Sequence, residues 1–291
     1  MKIVVFPNLK KNNAEKCVIN ACEILHSEGV EIFLETKYSN TFKQLQYVAY
    51  GDFTELVKQC DVIIVIGGDG TILKCSKLVA EYEKPILGIN SGRLGFMATL
   101  ESDEIEYLRQ FSKGNYSIVK RMMLKGEIRF KDGRVYEQSA LNDIVALRSP
   151  SCRIADFEVS MKDNVISSLR ADGLIFSTPT GSTAYSLSAG GPIIEPDLDC
   201  IEFTQICPFS LFARTMIFNS DKVLKVVYSS EKASKVIINF DGNEEITFTP
   251  DDELYISKSE KYIYFVEINS SSFYHSVNRK LMQPLKGEVE V

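Results

Sequence analysis

Asp69 is the residue in this chain with the most evident chemistry. It stands in Gly67-Gly68-Asp69-Gly70-Thr71, directly after Val62-Ile63-Ile64-Val65-Ile66. Five consecutive β-branched apolar residues predict a strand buried on both faces of a parallel sheet. The glycines then end it. Glycine tolerates positive φ and lets a backbone or a phosphate approach closely. Successive N–H groups of such a turn form an anion cradle, and a helix N-terminus expected from Thr71 adds to it. A carboxylate inside a positive cradle is out of place in a site that only binds phosphate. It suits a metal partner, or a base that takes a proton from an attacking hydroxyl. The turn is not a P-loop, because no Gly-Lys-Ser/Thr follows. It is not the dinucleotide fingerprint either, because Leu73 stands where the third glycine belongs.

Two further stretches carry chemistry. Asn142-Asp143 interrupts the apolar residues Ala140-Leu141 and Ile144-Val145. A polar pair there is costly to bury unless it is satisfied. An Asn beside a carboxylate can grip two adjacent ribose hydroxyls, since the acid accepts both protons. From Arg170 to Pro192 a short apolar strand gives way to a dense run of hydroxyl and small residues, with Tyr185 as its one aromatic ring after the strand. Many donors and acceptors, close backbone approach and a stacking face suit a polyhydroxylated planar ligand such as a nucleotide.

Composition removes several alternatives. The chain has 291 residues, 45% of them hydrophobic, which supports two domains or one large one. Net charge is −6 with no Lys/Arg cluster, which argues against nucleic acid as the main partner. No apolar run approaches the roughly 20 residues of a membrane helix. Met1–Phe6 is too short for a signal-peptide core and reads as a first strand. Seven cysteines (17, 22, 60, 75, 152, 200, 207) show no CxxC spacing, as expected of reduced, packed thiols in a cytoplasm. His26 and His275 lack metal-ligand company, which argues against zinc and against a Ser-His-Asp triad.

The elements that must position these residues fall into two patterns. Residues 1–115 alternate strand and helix. Strands are expected at Lys2–Phe6, Glu31–Leu34, 62–66 and Pro85–Ile89, with a helix over Ala14–Leu25 that Gly29 stops. Residues 38–53 are ambiguous. Pro85–Ile89 runs into Asn90-Ser91-Gly92-Arg93-Leu94-Gly95-Phe96, a second glycine-rich turn at a strand's C-terminal end. Ligands of open α/β sheets sit beyond those ends, so both turns point to one crevice. Asp103–Phe111 is expected to be a helix with Ser102 as N-cap. Residues 116–270 change to short strands with turn dipeptides, including Asp132-Gly133 and Asp241-Gly242. The expected fold is an α/β N-terminal domain with a mainly parallel sheet, plus an all-β, β-sandwich-like C-terminal domain. Phe273, Val277 and Leu281 at i, i+4 and i+8 predict a final helix, with 271–291 returning to the first domain.

Gly67–Thr71 and Asp172–Gly191 together resemble the NAD kinase family, as do Asn90–Phe96 and Leu141-Asn142-Asp143. Gly-Gly-Asp-Gly alone is shared with phosphofructokinases and with diacylglycerol and sphingosine kinases; the Asp-Gly-Leu-Ile-x-Ser-Thr-Pro-Thr-Gly-Ser-Thr-Ala-Tyr run is far more specific. The resemblance implies transfer of a phosphoryl group from ATP to the 2′-hydroxyl of the adenosine ribose of NAD, giving NADP. It implies Mg²⁺ or another divalent cation, NAD bound between the domains, and a cytoplasmic homo-dimer or homo-tetramer. Asp69 would be the base and Gly70 would lie against the nucleotide. Asn142 and Asp143 would hold ribose hydroxyls, Asp172 would bind NAD, and Thr183, Ala184, Tyr185 and Ser188 would line its pocket. Arg153 and Arg170 fall where basic side chains approach ligand phosphates or a neighbouring subunit. Lys74 is an expected phosphate contact, and Asn243 occupies a position often held by Gln. Two departures stand out: Asp143 replaces the usual Glu, one methylene shorter, and the His-x-Leu-x-x-Arg-Pro segment reads Phe209–Thr215, keeping only Leu211 and Arg214. The competing readings are a lipid or sugar kinase sharing the Gly-Gly-Asp-Gly turn, and a nucleotide sensor without catalysis.

Overall fold

The computed structural model describes residues 1–11, 13–92, 95–149, 154–229 and 235–268, together with Phe273, Val277 and Asn278. Two compact units divide the chain. One comprises 1–120 and 263–291, the other 121–262.

The first unit is built on β1 (Lys2–Pro7), α1 (Ala14–Ser27), β2 (Glu31–Glu35), β3 (Ala49–Gly51), α2 (Phe53–Gln59), β4 (Val62–Gly67), α3 (Asp69–Val79) and β5 (Ile86–Asn90). The two-residue β6 (Leu100–Glu101) and α4 (Leu108–Ser112) complete it. Every strand pair among these is parallel, in the order β3-β2-β1-β4-β5 with β6 beside β5. All six residues of β4 are buried, as its unbroken apolar run requires. One apolar cluster joins Ile3, Val5, Ile64, Ile66 and Leu87 to the inner face of α1 at Val18, Ala21 and Leu25.

The ambiguous stretch 38–53 resolves into a single helical turn at Thr36–Tyr38, then β3 and the start of α2, which Asp52 caps by accepting the Glu55 N–H. The helix expected from Asp103 is shorter than the spacing implied: a 3₁₀ turn at Ile105–Tyr107 precedes α4. Ser102 is not its cap; Glu104 occupies that position and its carboxylate accepts the Glu101 N–H instead. The helix expected around Phe273–Leu281 lies largely outside the described residues.

The second unit contains β7 (Ser117–Arg129), β8 (Val135–Ala140), β9 (Asp143–Arg148), β10 (Ala155–Met161), β11 (Asn164–Ala171) and β12 (Gly173–Ser177). The short helix α5 (Tyr185–Ser188) follows, then β13 (Cys200–Ile206), β14 (Met216–Asn219), β15 (Leu224–Ser229), β16 (Val236–Phe240), β17 (Asn243–Phe248) and β18 (Glu253–Glu267). One antiparallel sheet runs β14-β13-β12-β9-β16-β17. A second packs β11, β10, β15 and β18, with β7 and β8 beside β18. Phe176, Phe203 and Phe240 of one sheet share an apolar cluster with Phe157, Val226 and Leu254 of the other, which makes this unit sandwich-like. The last residues of β18 belong to the first unit, where Phe265 pairs parallel with Ile86. β13 escaped the sequence reading because Glu202, Thr204 and Gln205 break its apolar pattern, yet all seven of its residues are buried.

Candidate functional site

In the first unit the chain leaves β4 at Gly67 and enters α3 at once. Asp69 is the first helical residue, and Gly68 serves as N-cap in an extended conformation. The helix therefore starts two residues earlier than Thr71. None of Gly67, Gly68 and Gly70 has a positive φ, so space and not backbone conformation is what these glycines supply. A Cβ on Gly67 would lie 2.4 Å from Thr71 Oγ1, the atom that accepts a hydrogen bond from Asn8 Nδ2.

The second glycine turn closes on the first. Ser91 N donates to Gly67 O at 3.1 Å. Asn90, buried at the end of β5, anchors the turn by accepting Gly92 N and donating to Glu101. The backbone N–H groups of Phe96 and Met97 donate to Asp69 at 2.7 and 3.2 Å. A Cβ on Gly95 would stand 2.0 Å from Asp69 Oδ1, so only glycine lets this loop reach the carboxylate. Asp69 is thus half-buried, oriented and charge-compensated, and it lines a cleft of about 770 Å³ with Gly70, Thr71 and Ser91. Lys74 lies on the exposed side of α3 and is not part of that lining.

In the second unit Asn142 and Asp143 sit at the corner between β8 and β9, both buried. Asp241 holds that corner. Its carboxylate accepts Leu141 N at 2.9 Å, Asn142 N at 2.7 Å and Asp143 N at 3.1 Å. Asp241 can reach there because it opens the two-residue turn between β16 and β17, with φ of 53° followed by 69° at Gly242. Two positive φ values are what an Asp-Gly hairpin turn adopts. Sequence reasoning identified that turn but not the work of its Asp side chain. Burial, and secondarily the Asp241 carboxylate, push the Asp143 carboxyl up to about 7. Asn142 Oδ1 is buried without a protein hydrogen-bond partner. Asn243 is exposed and donates to Asp241 O.

The hydroxyl-rich run divides into two sets. Ser177, Thr178, Ser182 and Ser186 are fully buried and occupied by the protein. Ser177 and Thr178 donate to the carbonyls of Asn142 and Leu141, and Ser182 bridges Pro179 O and Ile194 N. A Cβ on Gly181 would stand 2.1 Å from Asn142 O, so the run is pressed against the corner. Ser186 Oγ donates to the buried Glu202 at 2.6 Å, a partner the sequence did not suggest. Thr183, Ala184, Tyr185 and Ser188 are the partly or fully exposed members, Tyr185 at 42%. Asp172 is half-buried and accepts from Arg148 Nε at 2.5 Å. Arg170 makes a two-pronged ion pair with Asp156 at 2.8 and 3.0 Å, which lowers the Asp156 carboxyl below its ordinary value. Arg153 lies outside the described residues.

Comparison with known proteins decides among kinases bearing this turn. Residues 3–116 match the ATP-NAD kinase N-terminal domain, and residues 141–268 match the ATP-NAD kinase C-terminal domain. The chain belongs to the ATP-NAD kinase family. It is 35% identical over 284 residues to an NAD kinase of Caldanaerobacter subterraneus subsp. tengcongensis, covering 97% of this chain and 99% of the relative. It is 44% identical over 221 residues, 75% of this chain, to a bifunctional NADP phosphatase/NAD kinase of Methanocaldococcus jannaschii. The chain spans 38% of that longer relative's length. A yeast NADH kinase solved with NADH shares the fold at a TM-score of 0.85 and 23% identity, covering 100% of this chain and 90% of that one. Family membership turns the Asp69 cleft and the Asn142–Asp143 corner into the places where the family's chemistry is to be sought. It also decides against the lipid- and sugar-kinase alternative.

Proposed function

We propose that this chain transfers the γ-phosphoryl group of ATP to the 2′-hydroxyl of the adenosine ribose of NAD, yielding NADP. The observation that carries this reading is the seating of Asp69: a carboxylate aimed by two backbone N–H groups into a glycine-lined cleft at the end of β4. Phosphoryl transfer needs positioning and charge neutralisation more than a covalent protein nucleophile. Asp69 removes the hydroxyl proton. Asn142, through its unpartnered Oδ1, and Asp143 hold ribose hydroxyls. Thr183, Ala184, Tyr185 and Ser188 present the accessible surface of the hydroxyl-rich run, and Asp172 and Asn243 complete the NAD contacts.

Among the described residues no three His, Cys, Asp or Glu side chains gather as a metal centre. Mg²⁺ usually rides on substrate phosphates with one or two carboxylates and several waters. Asp69 and the donor's phosphates are the fitting ligands, and the ion would neutralise charge on the transferred group.

The protein acts in the cytoplasm as a homo-dimer or homo-tetramer in this reading. No described helix is long and apolar enough to cross a membrane. Phe209, Leu211 and Phe212 stand 80–89% exposed before edge strand β14, an apolar surface of the kind a subunit contact covers.

The test is to incubate the pure protein with Mg-ATP and NAD, NADH or diacylglycerol in turn and identify the product by mass and ³¹P NMR. A 2′-phosphorylated dinucleotide is expected. NAD bound but never phosphorylated would leave the sensor reading standing.

A further inference from the structure

The hydroxyl-rich run is anchored to an acid that the motifs did not reveal. Glu202 is fully buried in β13. Side chains of a strand alternate between its faces, so Ile201 and Phe203 enter the apolar cluster while Glu202 and Thr204 lie on the opposite face. There they meet α5. Ser186 Oγ donates to Glu202 Oε1 at 2.6 Å, Thr204 Oγ1 donates to the same oxygen at 3.1 Å, and Thr215 Oγ1 lies 3.0 Å from Thr204 Oγ1. Glu202 Oε2 is buried without a partner among the described residues. Burial raises the Glu202 carboxyl above its ordinary value, although the bonds from Ser186 and Thr204 act the other way.

A buried acid is costly, and an apolar side chain of similar size often serves stability as well or better. What the acid adds here is a hold on α5. That helix is a single turn of four residues with no side-chain cap, and one turn is not stable by itself in water. Among the described side-chain hydrogen bonds of α5, those of Ser186 to Glu202 and Thr204 are the ones that reach the sheet. The chain leaving α5 closes over the same point. Gly191 N donates to Ser186 O at 2.9 Å, and a Cβ on Gly191 would stand 2.1 Å from Glu202 Oε1 and 2.3 Å from Ser186 Oγ. Fixing the buried Ser186 also fixes the other side of the turn, where Tyr185 and Ser188, three residues apart, are both exposed.

We propose that Glu202 is a positioning residue for the dinucleotide: through Ser186 it pins α5 to β13 and so presents Tyr185 and Ser188 to NAD. The proposal rests on the kinase reading above. Glu202 is fully buried, so it acts through Ser186 and not by touching a ligand. Holding α5 seated in the free protein spares NAD the cost of ordering that turn on binding. Hydrogen bonding and not charge does this, because a carboxyl in its neutral form still accepts from a hydroxyl.

Steady-state kinetics of the full chain, varying NAD at saturating Mg-ATP and then the reverse, test this. Glu202→Leu and Ser186→Ala should each raise KM for NAD by about tenfold, the order of one net hydrogen bond, with kcat and KM for ATP within about twofold. The Glu202→Leu/Ser186→Ala double variant should be no worse than either single one, because both cut the same link. Glu202→Gln keeps an acceptor and should stay within about twofold of the wild type. Amide hydrogen exchange read by mass spectrometry should quicken over residues 185–191 in Ser186→Ala, with β12 and β13 unchanged. An unchanged KM for NAD in Ser186→Ala overturns the proposal, even where Glu202→Leu fails to fold. So does a loss shared equally by NAD, ATP and kcat, which marks general destabilisation, and so does a Glu202→Gln variant as impaired as Glu202→Leu. Calorimetric NAD titration runs beside the kinetics. A wild type that makes no NADP defeats the kinase reading, while the variants' NAD affinity still judges this one.

Discussion

Two aspartates, one in each unit, are seated by opposite means. Asp69 is half-buried, stands first on a helix, and takes its hydrogen bonds from a loop some 27 residues away in sequence. Asp143 is buried at a strand start beside a second carboxylate, Asp241, which takes the backbone N–H groups of the corner for itself. Asp69 therefore receives two backbone N–H donors. Asp143 receives burial and a like charge, and its carboxyl rises to about 7. A base must be ionised and facing its substrate. A ribose grip can work with a carboxyl that titrates near neutrality, because a protonated acid donates as well as accepts. In both places a glycine makes the contact possible: Gly95 against Asp69, and Gly181 against Asn142.

The contrast breaks most sharply at Asp69. Asp69→Asn keeps the shape and the acceptor for one N–H but removes the base. Turnover should fall by about 10²–10⁴-fold while folding and NAD affinity persist. Steady-state kinetics alongside NAD titration decide it, and near-normal turnover would remove Asp69 from the chemistry.

Asp241→Ala comes next. Three backbone N–H groups lose their acceptor, at an estimated cost of about 2–4 kcal/mol in stability, with weaker NAD binding as the corner loosens. Urea denaturation and titration measure both. An unperturbed variant would mean the corner is held by Thr178 and Gly181 alone.

The third effect is a pH dependence. The folded pKa of Asp143 lies above that of an unfolded Asp, so this group favours the fold at low pH. That contribution is lost as pH rises from about 4 through about 7. Asp143→Asn removes the titration. The variant should gain stability relative to the wild type between pH 5 and pH 8, on the order of a few kcal/mol. Parallel stability curves would show that Asp143 titrates no differently folded and unfolded.

Much of this was legible before the fold. The all-apolar run at 62–66 could only be an interior strand, and Asp241-Gly242 could only be a tight turn, because burial and positive φ each demand particular residue types. The polar strand β13 and the short α2 were not legible. Glu202, Thr204 and Gln205 read as surface until Ser186, Thr215 and the Arg214 carbonyl are seen to bond to them, with Glu202 Oε2 left buried and without a partner. The hydroxyl-rich run looked uniformly ligand-directed; half of it is internal scaffolding.

Local chemistry in the sequence determined where strands, turns and the reactive acid lie, because backbone propensity and hydrophobic pattern act over a few residues. The tertiary structure alone decided what each acid meets. Phe96 and Met97 come to Asp69, Lys10 and Lys11 come to its cleft, and Asp241 comes to Asp143 across distances in sequence that no pattern encodes. Hydrogen bonding, burial and charge depend on neighbours in space, and those neighbours exist only once the chain has folded.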